Sequence, residues 1–165
     1  MILNRIMDVL KLYKSVAKYP FGKHIFSMLF CLKAPYFRTI NPKVLDLSNG
    51  FAAVSMSQRW SVQNHIKTVH AIAVCNLVEM CMGLVVEATI PKHLRWLPMG
   101  MDIQYKKKAM GQLTATSTID ALKSFHLQQY PGQVIIPVEV KNSEGVVVSS
   151  ANIRLWISKK PEKPQ

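Results

Sequence analysis

Cysteine is scarce in this 165-residue chain. There are three, Cys31, Cys75 and Cys81, each inside an apolar run, and no Cys-x-x-Cys pair. That excludes a disulfide scaffold and the usual zinc and thiol-redox arrangements, and it fits a reducing compartment. Acids are scarce too, nine against 21 Lys and Arg, for a net charge of +12. Glycine and proline are few and scattered, so collagen-like and low-complexity readings fail. A long uncharged apolar run is missing: Ala71 to Val86 carries Asn76 and Glu79 and falls short of the roughly 18 residues of a membrane span. Residues 1–19 have charges throughout and no apolar h-region, which argues against a signal peptide. Asp8 and the preference for Lys over Arg weigh against a mitochondrial presequence. The expected setting is cytoplasmic, with a peripheral seat at a membrane left open. HExxH, GxSxG, P-loop and GxGxxG patterns are absent. The five His residues, 24, 65, 70, 93 and 126, form no compact metal pattern, so neither a metal nor a separate cofactor is expected.

What is present is one domain's length of chain, 49% apolar and 18% charged, enough for a real core. The positive excess predicts attraction to polyanions: anionic membrane, nucleotide-bearing molecules or acidic carrier proteins. Nucleic acid is disfavoured, because the basic residues are not interleaved with aromatics in a recognisable motif.

Residues 1–40 read as a basic helical appendage. Ile2, Ile6, Val9, Leu10, Tyr13 and Val16 recur at helical spacing. Asn4, Arg5, Asp8, Lys11, Ser15 and Lys18 fall opposite them. A second apolar stretch, His24 to Leu32, ends before Pro35. Seven basic residues face Asp8 alone here, half the chain's net charge in a quarter of its length. Two readings follow: an amphipathic arm for a membrane surface or carrier, or helices packed on the domain with a solvated basic face. The second carries more weight.

Residues 41–158 read as the main domain. Val44–Leu47 and Phe51–Met56 flank Ser48-Asn49-Gly50 and predict a hairpin. Trp60 to Lys67 is polar and loop-like. From Thr68, a candidate N-cap, to about Ile90 the chain is apolar almost all round, which predicts a helix surrounded by protein. Beyond Pro91–Pro98, the runs Met101–Lys107, Gln112–Ile119, Val134–Val140 and Val146–Ile157 predict an antiparallel meander. The tail, 159–165, is polar and expected to be disordered.

A hairpin, a buried helix and four strands resemble the α+β hotdog fold, a curved antiparallel sheet around a long helix. Asn64-His65, His70-Ala71 opening the helix, and Glu79 nine positions later resemble the phenylacetyl-CoA thioesterase-like branch of that superfamily. Pro35-Tyr36-Phe37, Arg95-Trp96-Leu97-Pro98 and Tyr105 through Gly111 look more like an uncharacterised, thioesterase-related hotdog family. Where the thioesterase branch has His-Gly-Gly, this chain has His70-Ala71-Ile72. The added side chains limit how closely a ligand approaches the helix start. The acid is Glu where that branch generally has Asp.

Thioester hydrolysis needs a carboxylate to activate water or attack the carbonyl, and donors for the developing oxyanion. Among the acids only Glu79 sits mid-helix between apolar flanks, Leu77-Val78 and Met80-Cys81. Burial there would raise its pKa and poise it as a base. The alternative is a helix-face acid paired with a lysine, the role expected of Glu87. Free N–H groups and the positive helix end at His70 and Ala71 suit a carbonyl. The nine steps from His70 to Glu79 turn a helix by about 900°, which sets the two on opposite sides. One protomer cannot aim both at one atom. The resemblance likewise implies a homodimer, or a dimer of dimers, with the acid from one subunit and the loop and helix start from the other. It implies an Asn64 amide on the carbonyl or the water, His65 orienting it or donating a proton, and Thr68, His70 and Ala71 binding substrate. The residues alone also allow Asn64 and His65 to cap loop backbone. Lys106 and Lys108, at a strand end, suit the phosphates of coenzyme A, or else protect an edge strand.

The expected function is hydrolysis of acyl-CoA or acyl carrier thioesters, coenzyme A entering as part of the substrate. A non-catalytic acyl-CoA or fatty-acid binding protein is the second reading. A membrane-surface protein working through its basic helices is the third.

Overall fold

The computed structural model describes residues 8–126 and 129–161. Residues 1–7 of the expected first helix and 162–165 of the expected tail lie outside them.

Helix α1, Val9–Val16, opens where the Asp8 carboxylate accepts the Lys11 N–H at 3.0 Å. Helix α2, Gly22–Lys33, is followed by a 3-10 segment, Pro35–Ile40. Both helices join the main core through Val9, Tyr13, Phe26 and Phe30. Tyr13 meets Phe26 edge-on at 5.1 Å between ring centroids.

Strands β1, Lys43–Ser48, and β2, Phe51–Ser57, form the expected hairpin around Asn49-Gly50. Gly50 has φ +79°, and a Cβ there would lie 2.7 Å from the Ile119 carbonyl oxygen, so the turn requires glycine. The Gly50 N–H donates to Thr89 Oγ1 at 2.9 Å. This ties the hairpin tip to the far end of helix α3, Ala71–Thr89.

Strands β3, Leu94–Tyr105, β4, Gln112–Thr118, β5, Gly132–Asn142, and β6, Val147–Lys159, complete an antiparallel sheet ordered β1-β2-β4-β5-β6-β3. The simple meander is therefore corrected. β2 pairs along its whole length with β4, from Phe51–Thr118 to Ser57–Gln112. β3 lands at the far edge against β6. Alternating apolar residues say which face of a strand is buried, and both sheet orders would bury the same faces. β3 also begins at Leu94, ahead of the run expected from Met101, and passes Pro98 at a bulge between Pro98 and Gly100. Proline is tolerated at such a place because an edge strand leaves one row of N–H groups unpaired.

α3 lies across the concave side, with Val74, Leu77, Val78 and an unbroken run from Met80 to Val86 buried. By length and composition it is apolar enough to cross a membrane; here it is the core helix of the sheet. A sheet wrapped on such a helix is the hotdog fold that the resemblance implied.

Candidate active site

The helix starts two residues later than a Thr68 cap would place it. His70, not Thr68, is the N-cap, its Nδ1 accepting the Ile72 N–H at 3.1 Å. The Thr68 hydroxyl instead accepts from the Asn64 side-chain amide at 2.8 Å. Asn64 Oδ1 accepts the N–H groups of Ile66 and Thr68 at 3.1 and 3.0 Å. Asn64 thus closes the Asn64–Thr68 loop on itself, a use that short polar side chains serve well. His65 stands exposed at the tip of that loop.

At the helix start, the Val74 N–H reaches the His70 carbonyl at 3.1 Å. The N–H groups of Ala71 and Ala73 have no partner among the described residues. They are free donors at the positive end of a 19-residue helix, where an oxyanion is favoured.

β3 runs beside α3 and brings the lysine run to this end. Its first part reaches the far end of the helix, where Trp96 Nε1 donates to Glu87 Oε1 at 2.9 Å. That corrects the lysine partner expected for Glu87: the indole N–H fills the carboxylate site at the edge strand. At the other end the Tyr105 hydroxyl donates to the Ala71 carbonyl at 3.3 Å and lies 3.1 Å from Cys75 Sγ. Burial first, then the Cys75 thiol beside it, push the Tyr105 phenol above its ordinary range. Just beyond, the Val69 N–H bonds the Ala109 carbonyl at 2.8 Å. Lys106, Lys107 and Lys108, all exposed, therefore stand next to the Asn64–Ala71 segment.

Glu79 is exposed within one protomer, against the expectation of burial. β3 lies at the outer edge of the sheet and reaches this face at Tyr105, against Cys75, while no hydrogen bond or ion pair to Glu79 occurs among the described residues. The count from His70 also needs correction, because His70 precedes the helix. From Ile72 to Glu79 the turn is about 700°, which returns them to one face. Ile72, Cys75 and Glu79 form a single accessible stripe. Along it the helix start and Glu79 are about 12 Å apart.

The structure thus gathers Asn64, His65, Thr68, His70, Ala71, Lys106 and Lys108 at one end, with Glu79 two turns away. Cys75 and the Tyr105 hydroxyl were missed as members of this surface. Cys75 could have been found from its spacing between Ile72 and Glu79. The Tyr105 contact depends on strand placement and has no local signal.

A family model described as a domain of unknown function (DUF4442) matches residues 22–157. The chain belongs to the DUF4442 family. A crystal structure of a genomics target is similar over 94% of this chain and 99% of its own, at 34% identity and a TM-score of 0.78. A Pseudomonas aeruginosa protein of unknown function, called a probable thioesterase, is similar over 80% of this chain and 92% of its own, at 15% identity and a TM-score of 0.73. A variant of a Staphylococcus aureus thioesterase is similar over 75% and 98%, at 17% identity and a TM-score of 0.64. No curated protein matches the sequence. This DUF4442 protein has a thioesterase-like hotdog fold.

Proposed function

We propose that the protein is a homodimeric acyl-CoA thioesterase, with Glu79 of one subunit acting on a thioester held at the helix start of the other. The observation that carries this reading is the placement of Glu79. Of the two carboxylates on the core helix, Glu87 is taken by the Trp96 indole and Glu79 is left uncovered, on the stripe that also carries Ile72 at the helix start.

A two-fold axis supplies the missing half. Cys75 is midway between Ala71 and Glu79 in sequence. Two antiparallel α3 helices related by an axis at Cys75 would set Ala71 of each opposite Glu79 of the other. β3 offers the matching edge. It has 12 residues, no second neighbour in the sheet, and exposed Leu97 and Met99. A long unpaired edge of this kind pairs readily with a second copy.

In such a site the Glu79 carboxylate takes a proton from water. The water oxygen bonds the thioester carbonyl carbon, and the oxyanion is held by the Ala71 and Ala73 N–H groups. The carbon–sulfur bond then breaks, and Glu79 returns its proton to the coenzyme A thiolate. The carboxylic acid product keeps the water oxygen. Lys106 and Lys108 meet the phosphates of coenzyme A. Asn64 and Thr68 hold the loop that carries these groups, with His65 exposed at its tip, and His70 fixes the first turn by capping it.

The test is hydrolysis of short, long and aromatic acyl-CoAs by wild type and Glu79→Gln. Turnover that collapses in the variant while the dimer persists supports the reading. Acyl-CoA binding without turnover by wild type replaces it with a non-catalytic acyl-CoA binding protein.

A further inference from the structure

Helix α2 is apolar on both sides. Phe26, Phe30 and Cys31 face the interior. Ile25, Met28, Leu29 and Leu32 recur at i, i+3, i+4 and i+7 on the opposite side, and all four are exposed. The outer face of a surface helix ordinarily carries charge. Phe21 continues this stripe one turn earlier and is 84% exposed. Its backbone sits at φ 60°, a left-handed conformation costly for a bulky residue. The close approach of α1 fixes that corner: a Cβ on Gly22 would lie 1.9 Å from the Val16 carbonyl oxygen. The fold therefore holds a phenylalanine ring out into solvent, beside four more apolar side chains.

The surroundings are basic. His24 and Arg38 line the stripe's foot with Met28 and Leu32, Lys18 and Lys33 lie next to its ends in the chain, Lys23 donates to the Leu45 carbonyl, and no acid occurs from Val9 to Leu45. A pocket of about 230 Å³ opens at its foot, lined in part by His24, Met28, Leu32 and Arg38. The apolar side of α1, which from sequence suited either a membrane arm or packing on the domain, is already used: Val9 and Tyr13 are buried in the core.

We infer that the outer face of α2 docks on an anionic lipid bilayer. Phe21, Ile25, Met28, Leu29 and Leu32 enter the boundary between headgroups and acyl chains, and the basic rim meets lipid phosphates. Charge complementarity decides between occupants. A second copy of this chain would bring one basic rim against another, with no acid there to pair it, whereas an anionic bilayer satisfies both the apolar stripe and its rim. This docking is independent of the thioesterase reading.

The experiment is co-sedimentation of the full chain with vesicles of phosphatidylcholine alone and of phosphatidylcholine with phosphatidylglycerol. Binding to the mixed vesicles, weakened by salt, is the expected result. Ile25→Ser with Leu32→Ser changes only outward side chains. It should keep the melting curve and weaken vesicle binding by roughly tenfold or more. Lys33→Glu with Arg38→Glu leaves the apolar stripe intact and should also release the protein from mixed vesicles; it decides the matter if the serine variant misfolds. The inference is overturned by a wild type that stays in the supernatant, or by folded variants that bind vesicles undiminished. It is equally overturned if the serine pair instead breaks an oligomer or abolishes capture of an acidic carrier protein.

Discussion

The Tyr105 hydroxyl donates to the Ala71 carbonyl and fastens the end of the edge strand to the first turn of the central helix. That one contact sets the helix start, the free N–H groups of Ala71 and Ala73, and the Lys106–Lys108 run on the same corner of the molecule. It also places the Cys75 thiol against the phenol hydroxyl.

The bond has a pH signature. Folding raises the Tyr105 pKa through burial and the Cys75 thiol. Below the ordinary phenol value of about 10, folded and unfolded chains both keep the proton. Above it the unfolded chain ionises first, so this contribution is lost as pH rises from about 10 upward. Tyr105→Phe should make the alkaline loss of stability shallower in urea melts taken across that range. Tyr13 and Tyr130, whose phenols are also raised, leave a remaining slope. At neutral pH the variant should cost about 1 kcal/mol.

Glu79 is exposed and makes no side-chain hydrogen bond or ion pair among the described residues, so Glu79→Gln should leave the melting temperature unchanged. Thioester hydrolysis should fall by roughly 100-fold or more, the scale of a lost general base. A large stability loss with retained activity would remove Glu79 from the reaction.

Cys75 tests the symmetry axis. Cys31 and Cys81 are buried, and burial pushes the Cys81 thiol far up, whereas Cys75 lies on the accessible stripe. A short bismaleimide should therefore link two subunits through Cys75, and Cys75→Ser should abolish the link. Monomer labelled at Cys75 without cross-linking would place the axis elsewhere.

Asn64 makes three hydrogen bonds within its own loop. Asn64→Ala should destabilise the fold by about 1–2 kcal/mol in denaturant titration. Since the loop carries the helix start, activity should fall with it, whereas Asn64→Asp, which retains the acceptor, should recover much of the stability.

The proposed acyl-CoA site gives the lysines a kinetic role. Lys106→Glu with Lys108→Glu should raise KM for acyl-CoA with little change in kcat, and should flatten the dependence of KM on salt. An unchanged KM would leave these lysines as protection for the sheet edge.

The hairpin at Asn49-Gly50, the apolar length of α3 and the alternation in β4, β5 and β6 were all legible in the sequence. Each depends on residues close together in the chain: a turn that needs positive φ, an all-round apolar surface, a period of two. The His70, Glu79 and Lys106–Lys108 candidates were legible in the same way, as residue types in a pattern. The helix cap was not. Thr68 and His70 are both capable of capping, and the Asn64 side chain settles the matter by taking the Thr68 hydroxyl.

By itself, then, the sequence determined the main helices and strands apart from the first half of β3 and the cap of α3, which faces are apolar, and that the chain carries excess positive charge near its start. Only the tertiary structure decided which strand is the edge. From that follow the capture of Glu87 by Trp96 and the meeting of Tyr105 with Ala71. It also decided that Glu79 is exposed, and that α1 spends its apolar face on the core while α2 keeps one outside. Local pattern specifies which side of an element must be covered. Strand pairing and helix docking, which depend on contacts between distant residues, specify what covers it and what is left bare.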